Sequence, residues 1–278
     1  MFKIILMIFI LSSFCIAKEY DVIHWNTVSF SPSLIPQGEL KNQGYSDVAR
    51  NIIIQNMKNY KHNVEVGTVT LAITNLKRLE FSCFSGLNMN EERKEFVYFS
   101  EPFILSLPNE LTIKKSNQSK FEKYLNPKGE IDLLQILQED KLRFGYVDSR
   151  AYNSYVDELI KKYKSNKNSF ARKGADLTKG LIYMLMLDRI DYTIEYPAMV
   201  KYNKEKFSIK EDFIQYPIVN ASNLIKVYIG CNKSMNGKIV IDKIDEIIIN
   251  HKNEFLNAYK KWIPKDSLKR YEKAVSPR

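Results

Sequence analysis

The sequence predicts an α/β protein built of two lobes, and three observations support this fold class. Short apolar segments with strand character alternate with segments whose apolar residues recur at helical spacing. After a predicted leader is removed, roughly 260 residues remain, which is enough for two ordinary domains. The sequence has no internal repeat, and no low-complexity linker separates its two halves. We therefore expect the chain to cross between the lobes more than once.

The first seventeen residues have the order and length of a secretory signal peptide. Lys3 precedes an apolar run from Ile4 to Leu11, and small Ala17 precedes polar Lys18. Such a segment is too short to span a bilayer as a mature helix, and no later stretch approaches about 18 uninterrupted apolar residues. The sequence thus predicts cleavage after Ala17 and a soluble mature protein outside the cytoplasm, in the periplasm.

The first lobe is predicted from strands and helices in alternation. A loop rich in Pro, Ser and Gly follows the first strand, Asp47 stands near the start of the first helix, and Gly86 ends the third strand. The predicted elements are strand 20–25, helix 44–60, strand 63–71, helix 72–79 and strand 80–87. A helical turn at 91–94 then leads into an aromatic strand that stops at Ser100.

The second lobe is predicted from a strand at 108–115 that leaves the first lobe and from the elements after it. These are helix 131–140, strand 142–148, helix 149–163, helix 177–189 and strand 190–196, an order that indicates a largely parallel sheet. A strand at 223–233 and two closing helices within 237–263 complete the chain. Ligands of such folds bind outside the carboxyl ends of the strands, so the site is expected there.

The charge of the chain does not indicate a nucleic-acid partner. The formal net charge is +10, from 42 Lys and Arg against 32 Asp and Glu. The signal peptide argues against nucleic acid, and the lysines are dispersed rather than gathered in a basic block. We interpret the charge as a lysine-rich surface.

Two cysteines remain after the signal peptide takes Cys15 with it. In an oxidising compartment Cys83 and Cys231 form a pair that invites a disulfide, and the alternative is two buried thiols in separate strands. Their spacing does not choose between these alternatives. The three histidines are scattered with no second ligand at short spacing, so neither a metal site nor a cofactor is predicted.

The segment NEERKEFVYFSEPF at 90–103 joins a charged helical turn to an aromatic strand. With the glycine-terminated strand before it, the segment resembles the first-lobe signature of the extracellular solute-binding proteins of family 3, the polar amino acid binding type. The resemblance extends over nearly the whole mature chain. Its further motifs are GELKNQGYSDVARNI at 38–52, RFGYVDSRAY at 143–152, LDRIDYTIEYP at 187–197, VYIGCNKSMNG at 227–237 and YKKWI at 259–263. GELKNQGYSD, IDYTIEYP and Cys83 are similar to an uncharacterised proteobacterial subgroup of this family.

The resemblance implies the type II periplasmic binding protein fold, in which two crossing strands form a hinge and the lobes close on a ligand. Lobe 1 would comprise residues 18–108 and 217–278, and lobe 2 would comprise residues 109–216. The same resemblance places Cys83 and Cys231 on neighbouring strands of lobe 1, which favours the disulfide.

Arg93 matches the arginine with which the family grips the α-carboxylate of its ligand. A planar guanidinium offers parallel N–H donors that fit both carboxylate oxygens, which a lysine does not reproduce. The local alternative is a solvated charge beside two glutamates. The family places a small hydroxyl residue five positions earlier, where this chain has Asn88, and Ser85 is a further nearby donor.

In lobe 2 the resemblance singles out Arg150 and an acid in IDYTIEYP. Arg150 stands where the family has a ligand-binding Gly-Thr or Gly-Ser, and it is either a surface charge or a second cationic contact in the cleft. Alignment on Pro197 selects Glu195 as the acceptor of the ligand's α-ammonium, whereas counting from Asp191 selects Tyr196. Trp25 and, less strongly, Phe30 follow the first strand, where the family places aromatic ligand walls.

These residues predict a monomeric periplasmic protein that captures a small amino-acid-like or carboxylate-bearing solute. It would serve an ABC importer or a membrane sensor, and no sequence feature separates these two partners. One alternative is a dehydratase-like enzyme on the same scaffold, with Glu195 as its acid or base. Another is a protein-interaction module that has lost its ligand.

Overall fold

The computed structural model of the chain describes residues 21–148, 150–173, 176–221 and 224–276. The predicted signal peptide at 1–17 lies outside these residues. None of the helices described is long and apolar enough to cross a membrane.

The described residues form eleven strands and ten α-helices. The strands are β1 Val22–Thr27, β2 Lys61–Val66, β3 Ser82–Leu87, β4 Val97–Phe99, β5 Ile104–Ser106, β6 Glu110–Lys114, β7 Phe144–Val147, β8 Ser169–Arg172, β9 Tyr192–Glu195, β10 Phe213–Tyr216 and β11 Ile225–Asn232. The helices are α1 Tyr45–Asn56, α2 Val69–Arg78, α3 Glu91–Lys94, α4 Leu133–Glu139, α5 Ser154–Tyr163, α6 Leu177–Met186, α7 Pro197–Lys206, α8 Met235–Asn250, α9 Lys252–Lys260 and α10 Lys265–Val275.

The first sheet has the strand order β2-β1-β3-β11-β4, with β5 also paired to β11. β1 is parallel to β2 and β3, and β11 is antiparallel to β3, β4 and β5. The strand β3 is buried at five of its six positions, which is expected of a strand covered by helices on both faces. A large core under this sheet joins residues of β1, α1 and β11 to the C-terminal helices.

The second sheet has the order β10-β6-β9-β7-β8 and is mixed, not largely parallel as the sequence predicts. β7 is parallel to β8 and β9, whereas β6 is antiparallel to both β9 and β10. Among the described strands of this sheet, β6 alone runs against the others, and β10 has the direction of β9 because both are antiparallel to β6. β6 leads into the sheet and precedes the strand-helix alternation that predicts a parallel sheet.

The chain passes from the first sheet to the second and back again. It leaves between Ser106, the end of β5, and Glu110, the start of β6, and it returns between Tyr216 and Ile225. These two connections lie side by side, because β5 pairs with β11 on one side of them and β6 pairs with β10 on the other. The molecule therefore has the two-lobe, two-crossing architecture that the sequence predicts.

The loop after β1 is tied to the start of α1 by a buried aspartate. One carboxylate oxygen of Asp47 accepts a hydrogen bond from the backbone N–H of Ile35 at 2.6 Å, and the other pairs with Arg50 at 2.9 Å. Ser33 and Ser46 add a hydroxyl contact of 2.7 Å. The loop is thereby held against the carboxyl end of the first sheet.

Cys83 and Cys231 are joined by a disulfide. They face each other across the antiparallel pair of β3 and β11, and both are fully buried. The bond links two strands that are 148 residues apart in the sequence.

Candidate functional site

Two cavities lie between the sheets, at the carboxyl ends of β1, β3 and β9. The small cavity has a volume of about 70 Å³ and the large cavity a volume of about 460 Å³. Asn88 after β3, Tyr196 after β9 and Ile225 at the return crossing line both of them. Residues from both halves of the fold thus enclose one cleft, at the position expected for a ligand site.

The small cavity is lined by uncharged groups throughout its described residues. Its hydroxyls come from Ser33, Tyr45, Tyr196 and Tyr259, among others. Burial raises the pKa of Tyr45 to about 12 and raises the pKa of Tyr196 above its ordinary value. These phenols therefore keep their protons at neutral pH and act as neutral hydrogen-bonding groups.

A glycine permits the close approach of backbone and side chains at this cavity. Gly86 in β3 has a φ of +90°, and a Cβ atom there would lie 2.7 Å from the hydroxyl of Ser46. A residue with a side chain would be strained in this left-handed backbone conformation, and its Cβ atom would clash with the hydroxyl contact between Ser33 and Ser46. Glycine at this position is therefore a structural requirement of the cleft wall.

The large cavity carries the charges of the cleft. Lys94 and Lys226 line it, and so does Glu91, whose carboxylate lies 2.7 Å from the ammonium of Lys94. Asn153, which caps the N-terminus of α5 by accepting from the N–H of Val156 at 3.0 Å, also lines this cavity. The positive end of the α5 dipole adds to the cationic character of the cavity.

Arg93 lies beside the cleft without lining either cavity. Its guanidinium donates to the backbone carbonyl of Asn88 at 2.6 Å, so the two predicted residues are brought together. No carboxylate of the described residues lies within 4.0 Å of this guanidinium. Burial lowers the pKa of Arg93 from its ordinary value, and Glu92 acts in the opposite direction. Arg93 is thus a partly desolvated cation with unused hydrogen-bonding capacity.

Glu195 and Arg150 are paired with each other. The Nη1 atom of Arg150 lies 2.6 Å from Oε2 of Glu195, and Nη2 of Arg150 donates to the hydroxyl of Thr178 at 2.9 Å. Glu195 is fully buried and lines neither cavity, whereas the next residue, Tyr196, lines both. The two alignments of this strand select Glu195 and Tyr196, and of these two residues Tyr196 is the one that lines the cleft.

This pairing differs from both roles that the sequence suggests for the two residues. Arg150 lines neither cavity and supplies the cation that the buried carboxylate of Glu195 needs. Burial raises the pKa of Glu195 above its ordinary value, and Arg150 acts in the opposite direction. Glu195 lines neither cavity, and its Oε2 atom is engaged by Arg150.

Trp25 is a core residue, contrary to its prediction as a ligand wall. It is fully buried under the first sheet, and its indole N–H donates to Nδ1 of His62 at 3.1 Å. Phe30, by contrast, is 48% exposed and lines the small cavity. Ser85 is also buried away from both cavities, and its hydroxyl has no partner among the described residues.

Several cleft residues were not singled out from the sequence, namely Ser33, Tyr45, Asn153, Met199, Lys226 and Tyr228. Tyr45 follows Gly44 at the start of α1, so the Gly-aromatic-Asp motif at 44–47 is a signal that could have found it. The described residues contain no group of three His, Cys, Asp or Glu side chains placed to hold a metal ion.

The fold and the cleft define the class of protein that this chain resembles: two-lobe α/β domains with a cleft between the lobes. No family model and no curated protein matches the sequence. Solved structures do match, at identities that show the fold alone.

Three of these structures come from different bacteria. The probable amino-acid ABC transporter extracellular-binding protein ytmK from Bacillus subtilis has a TM-score of 0.66 at 15% identity, over 89% of this chain and 100% of that one. Substrate binding domain 2 of GlnP from Lactococcus lactis, in an open conformation, has a TM-score of 0.61 at 15% identity, over 89% and 97%. The periplasmic VFT2 domain of BvgS from Bordetella pertussis has a TM-score of 0.60 at 12% identity, over 87% and 93%. The chain thus has the type II periplasmic binding protein fold.

Proposed function

We propose that this protein captures a small carboxylate-bearing solute in the cleft between its two lobes and closes around it. The observation that carries the proposal is the pair of cavities lined from both halves of the fold, with Asn88 on one side and Tyr196 on the other. A solute that contacts both sides favours the closed arrangement over the open one, which is how hinged binding proteins respond to ligand.

The lobes of this proposal are residues 18–108 with 217–278, and residues 109–216. The two sheet crossings, between Ser106 and Glu110 and between Tyr216 and Ile225, support these boundaries. Hinge motion would be absorbed by the few residues of these connections.

Arg93 is the proposed carboxylate-binding residue, with Asn88 beside it. The guanidinium has no carboxylate partner among the described residues, and it contacts a residue that lines both cavities. A ligand carboxylate would complete its hydrogen bonds, and a fork of two N–H donors would fix the orientation of that carboxylate. Lys94 and Lys226 would add attraction for an anion at longer range.

The proposed location is the periplasm, reached through the signal peptide at 1–17, and the proposed partner is a membrane permease or sensor. Structural neighbours such as ytmK are named as parts of amino-acid ABC transporters, which supports an importer as the partner. We expect a monomer with no cofactor, which size-exclusion chromatography with light scattering of the purified mature protein would check.

Thermal unfolding of the purified mature protein with a panel of solutes tests this function. The panel contains amino acids, polyamines, dicarboxylates and short peptides. A ligand at 100 times its dissociation constant should stabilise the native state by about 2.7 kcal/mol. No stabilisation by any solute would favour an interaction module, and conversion of a solute into a product would favour an enzyme.

Arg93→Ala tests the role of the guanidinium. The variant should fold and lose the stabilisation by ligand, and Arg93→Lys should recover only part of it because an ammonium lacks the fork. Arg78→Ala, at an exposed arginine at the end of α2, is the matched control and should bind like the wild type. Unchanged affinity in Arg93→Ala would remove Arg93 from the site.

A further inference from the structure

Glu195, Arg150 and Thr178 form a buried cluster under the second-lobe face of the cleft, in which the charge of Glu195 is offset. Its Oε2 atom lies 2.6 Å from Nη1 of Arg150 and 3.2 Å from the hydroxyl of Thr178, which in turn accepts from Nη2 of Arg150 at 2.9 Å. The side chain of Glu195 is 0% exposed and that of Arg150 is 16% exposed. Both contacts are made with Oε2, and through them the guanidinium offsets the charge of the carboxylate.

Three side chains of the cavity walls cover this cluster. The guanidinium of Arg150 lies 5.7 Å from the ring centre of Tyr152, which lines the large cavity. The hydroxyl of Thr178 lies 3.8 Å from the sulfur of Met199, which lines the small cavity. Tyr196, directly after Glu195, lines both cavities. A solute in either cavity therefore meets aromatic and thioether groups where it would otherwise meet a carboxylate.

The charges that do face the cleft are mostly positive. Among the described residues that line the two cavities, Glu91 is the one acid, and its carboxylate is engaged by Lys94 at 2.7 Å. Lys226 lines the same cavity, and the guanidinium of Arg93 lies against Asn88. The cleft thus offers Lys226 and Arg93 to an anion and, among its described lining residues, no uncommitted carboxylate to a cation.

From this arrangement, and resting on the proposed solute-binding function, we infer that the ligand is a small organic acid without an α-ammonium group. Arg150 occupies, from within the protein, the place beside Glu195 that a ligand ammonium would need. An ammonium enclosed in this cleft would lose its water without gaining a carboxylate, which is costly. A carboxylate would gain Arg93 and the cationic surroundings of the large cavity. Glu195 and Arg150 are therefore specificity-determining residues that act together.

The competing arrangement uses the second oxygen of Glu195. Its Oε1 atom is buried and has no hydrogen-bond donor among the described residues. If closure of the lobes brought a ligand ammonium to this atom, amino acids would bind better than their deaminated analogues. The two arrangements thus predict opposite preferences within a matched pair of ligands.

The experiment compares amino acids with the acids that lack only the amino group, by thermal unfolding and titration calorimetry on the mature protein. The pairs are glutamate and glutarate, aspartate and succinate, leucine and 4-methylpentanoate, and phenylalanine and 3-phenylpropanoate. At least one deaminated acid should bind ten times or more tighter than its parent. Equal or tighter binding of the amino acids would overturn the inference and leave the proposed function intact. Binding of no member of either set, together with no stabilisation by any other solute of the wider panel, would overturn both.

Two variants test the cluster itself. In Arg150→Met the carboxylate of Glu195 is released, so the preference for the deaminated acid should fall by a factor of ten or more. In the double variant Arg150→Met, Glu195→Gln, neither charge is present and the preference should stay as in the wild type. If the single variant does not fold, the matched pairs on the wild-type protein and on the double variant still decide. An unchanged preference in a folded Arg150→Met protein would remove the cluster from specificity.

Discussion

The ion pair between Glu110 and Arg270 ties the C-terminal helix α10 to the strand that enters the second sheet. Both carboxylate oxygens of Glu110 accept from the guanidinium, at 2.7 Å and 2.9 Å. Glu110 is 0% exposed, whereas the side chain of Arg270 is 36% exposed. Arg270→Met keeps much of the aliphatic volume and removes the cation, so it leaves a buried carboxylate without its partner.

The cost of this change follows from the burial of Glu110. Removing one partner of a buried pair typically costs about 3–5 kcal/mol, and the exposure of Arg270 allows some solvent screening. We expect a loss of about 2–3 kcal/mol, which corresponds to a fall in melting temperature of about 5–10 °C for a protein of this size. Lys269→Met, at an exposed neighbour on α10, is the control and should melt like the wild type.

The pH dependence identifies the carboxylate as the cause. Burial raises the pKa of Glu110 above its ordinary value, and Arg270 acts in the opposite direction. Loss of Arg270 therefore raises this pKa further, so the folded variant takes up a proton on Glu110 more readily than the wild type. A protonated Glu110 needs no cation, so the stability difference between the two proteins should shrink as the pH falls from 8 to 5.

Thermal unfolding of the three proteins at pH 8 and pH 5, followed by circular dichroism, measures these effects. A melting temperature of Arg270→Met equal to that of Lys269→Met would show that the unpaired carboxylate of Glu110 does not destabilise the fold. A difference that stays constant between the two pH values would show that lost packing, and not the unpaired carboxylate, causes the destabilisation.

The remaining predictions concern the first lobe. Intact-mass analysis of the oxidised mature protein should find no free thiol, and two alkylated cysteines in the wild type would contradict the disulfide. Replacing both Cys83 and Cys231 by Ala should lower the free energy of unfolding by up to about 5 kcal/mol, which is the chain-entropy value for a loop closed across 148 residues. Trp25→Phe should lower stability by about 1–3 kcal/mol through lost packing and the lost bond to His62, with unchanged ligand affinity by calorimetry. Gly86→Ala should cost about 1–3 kcal/mol, measured by urea unfolding, because its φ is +90°.

The elements of the fold that could be predicted are those with a local signal. The apolar strands around Cys83 and Ile194 and the helix that begins near Asp47 lie close to their predicted positions. The strands β5, β8 and β10 and the helices α7 and α10 were not predicted as separate elements. The strands are only three or four residues long, α10 has a mostly polar sequence, and half of the residues of α7 are polar, so the positions of these elements depend on contacts with distant parts of the chain.

The site was harder to predict because its residues are set by neighbours in space. Arg150 follows β7 and Glu195 ends β9, and these strands are parallel neighbours, so their carboxyl ends meet at one edge of the sheet. The pair is 45 residues apart in the sequence, and neither residue signals the other locally. Trp25 and Phe30 show the same limit, because Trp25 lies within β1 and Phe30 in the loop after it, and only the packing of distant elements decides which ring is covered.

We propose that a carboxylate-bearing solute binds between the lobes with its carboxylate on Arg93. A crystal structure of the protein with the tightest-binding acid of the matched pairs would show this contact. We expect the ligand to touch both Asn88 and Tyr196, with its carboxylate hydrogen-bonded to the guanidinium of Arg93. A ligand bound outside the two cavities, or one whose carboxylate makes no contact with Arg93, would rule the proposal out.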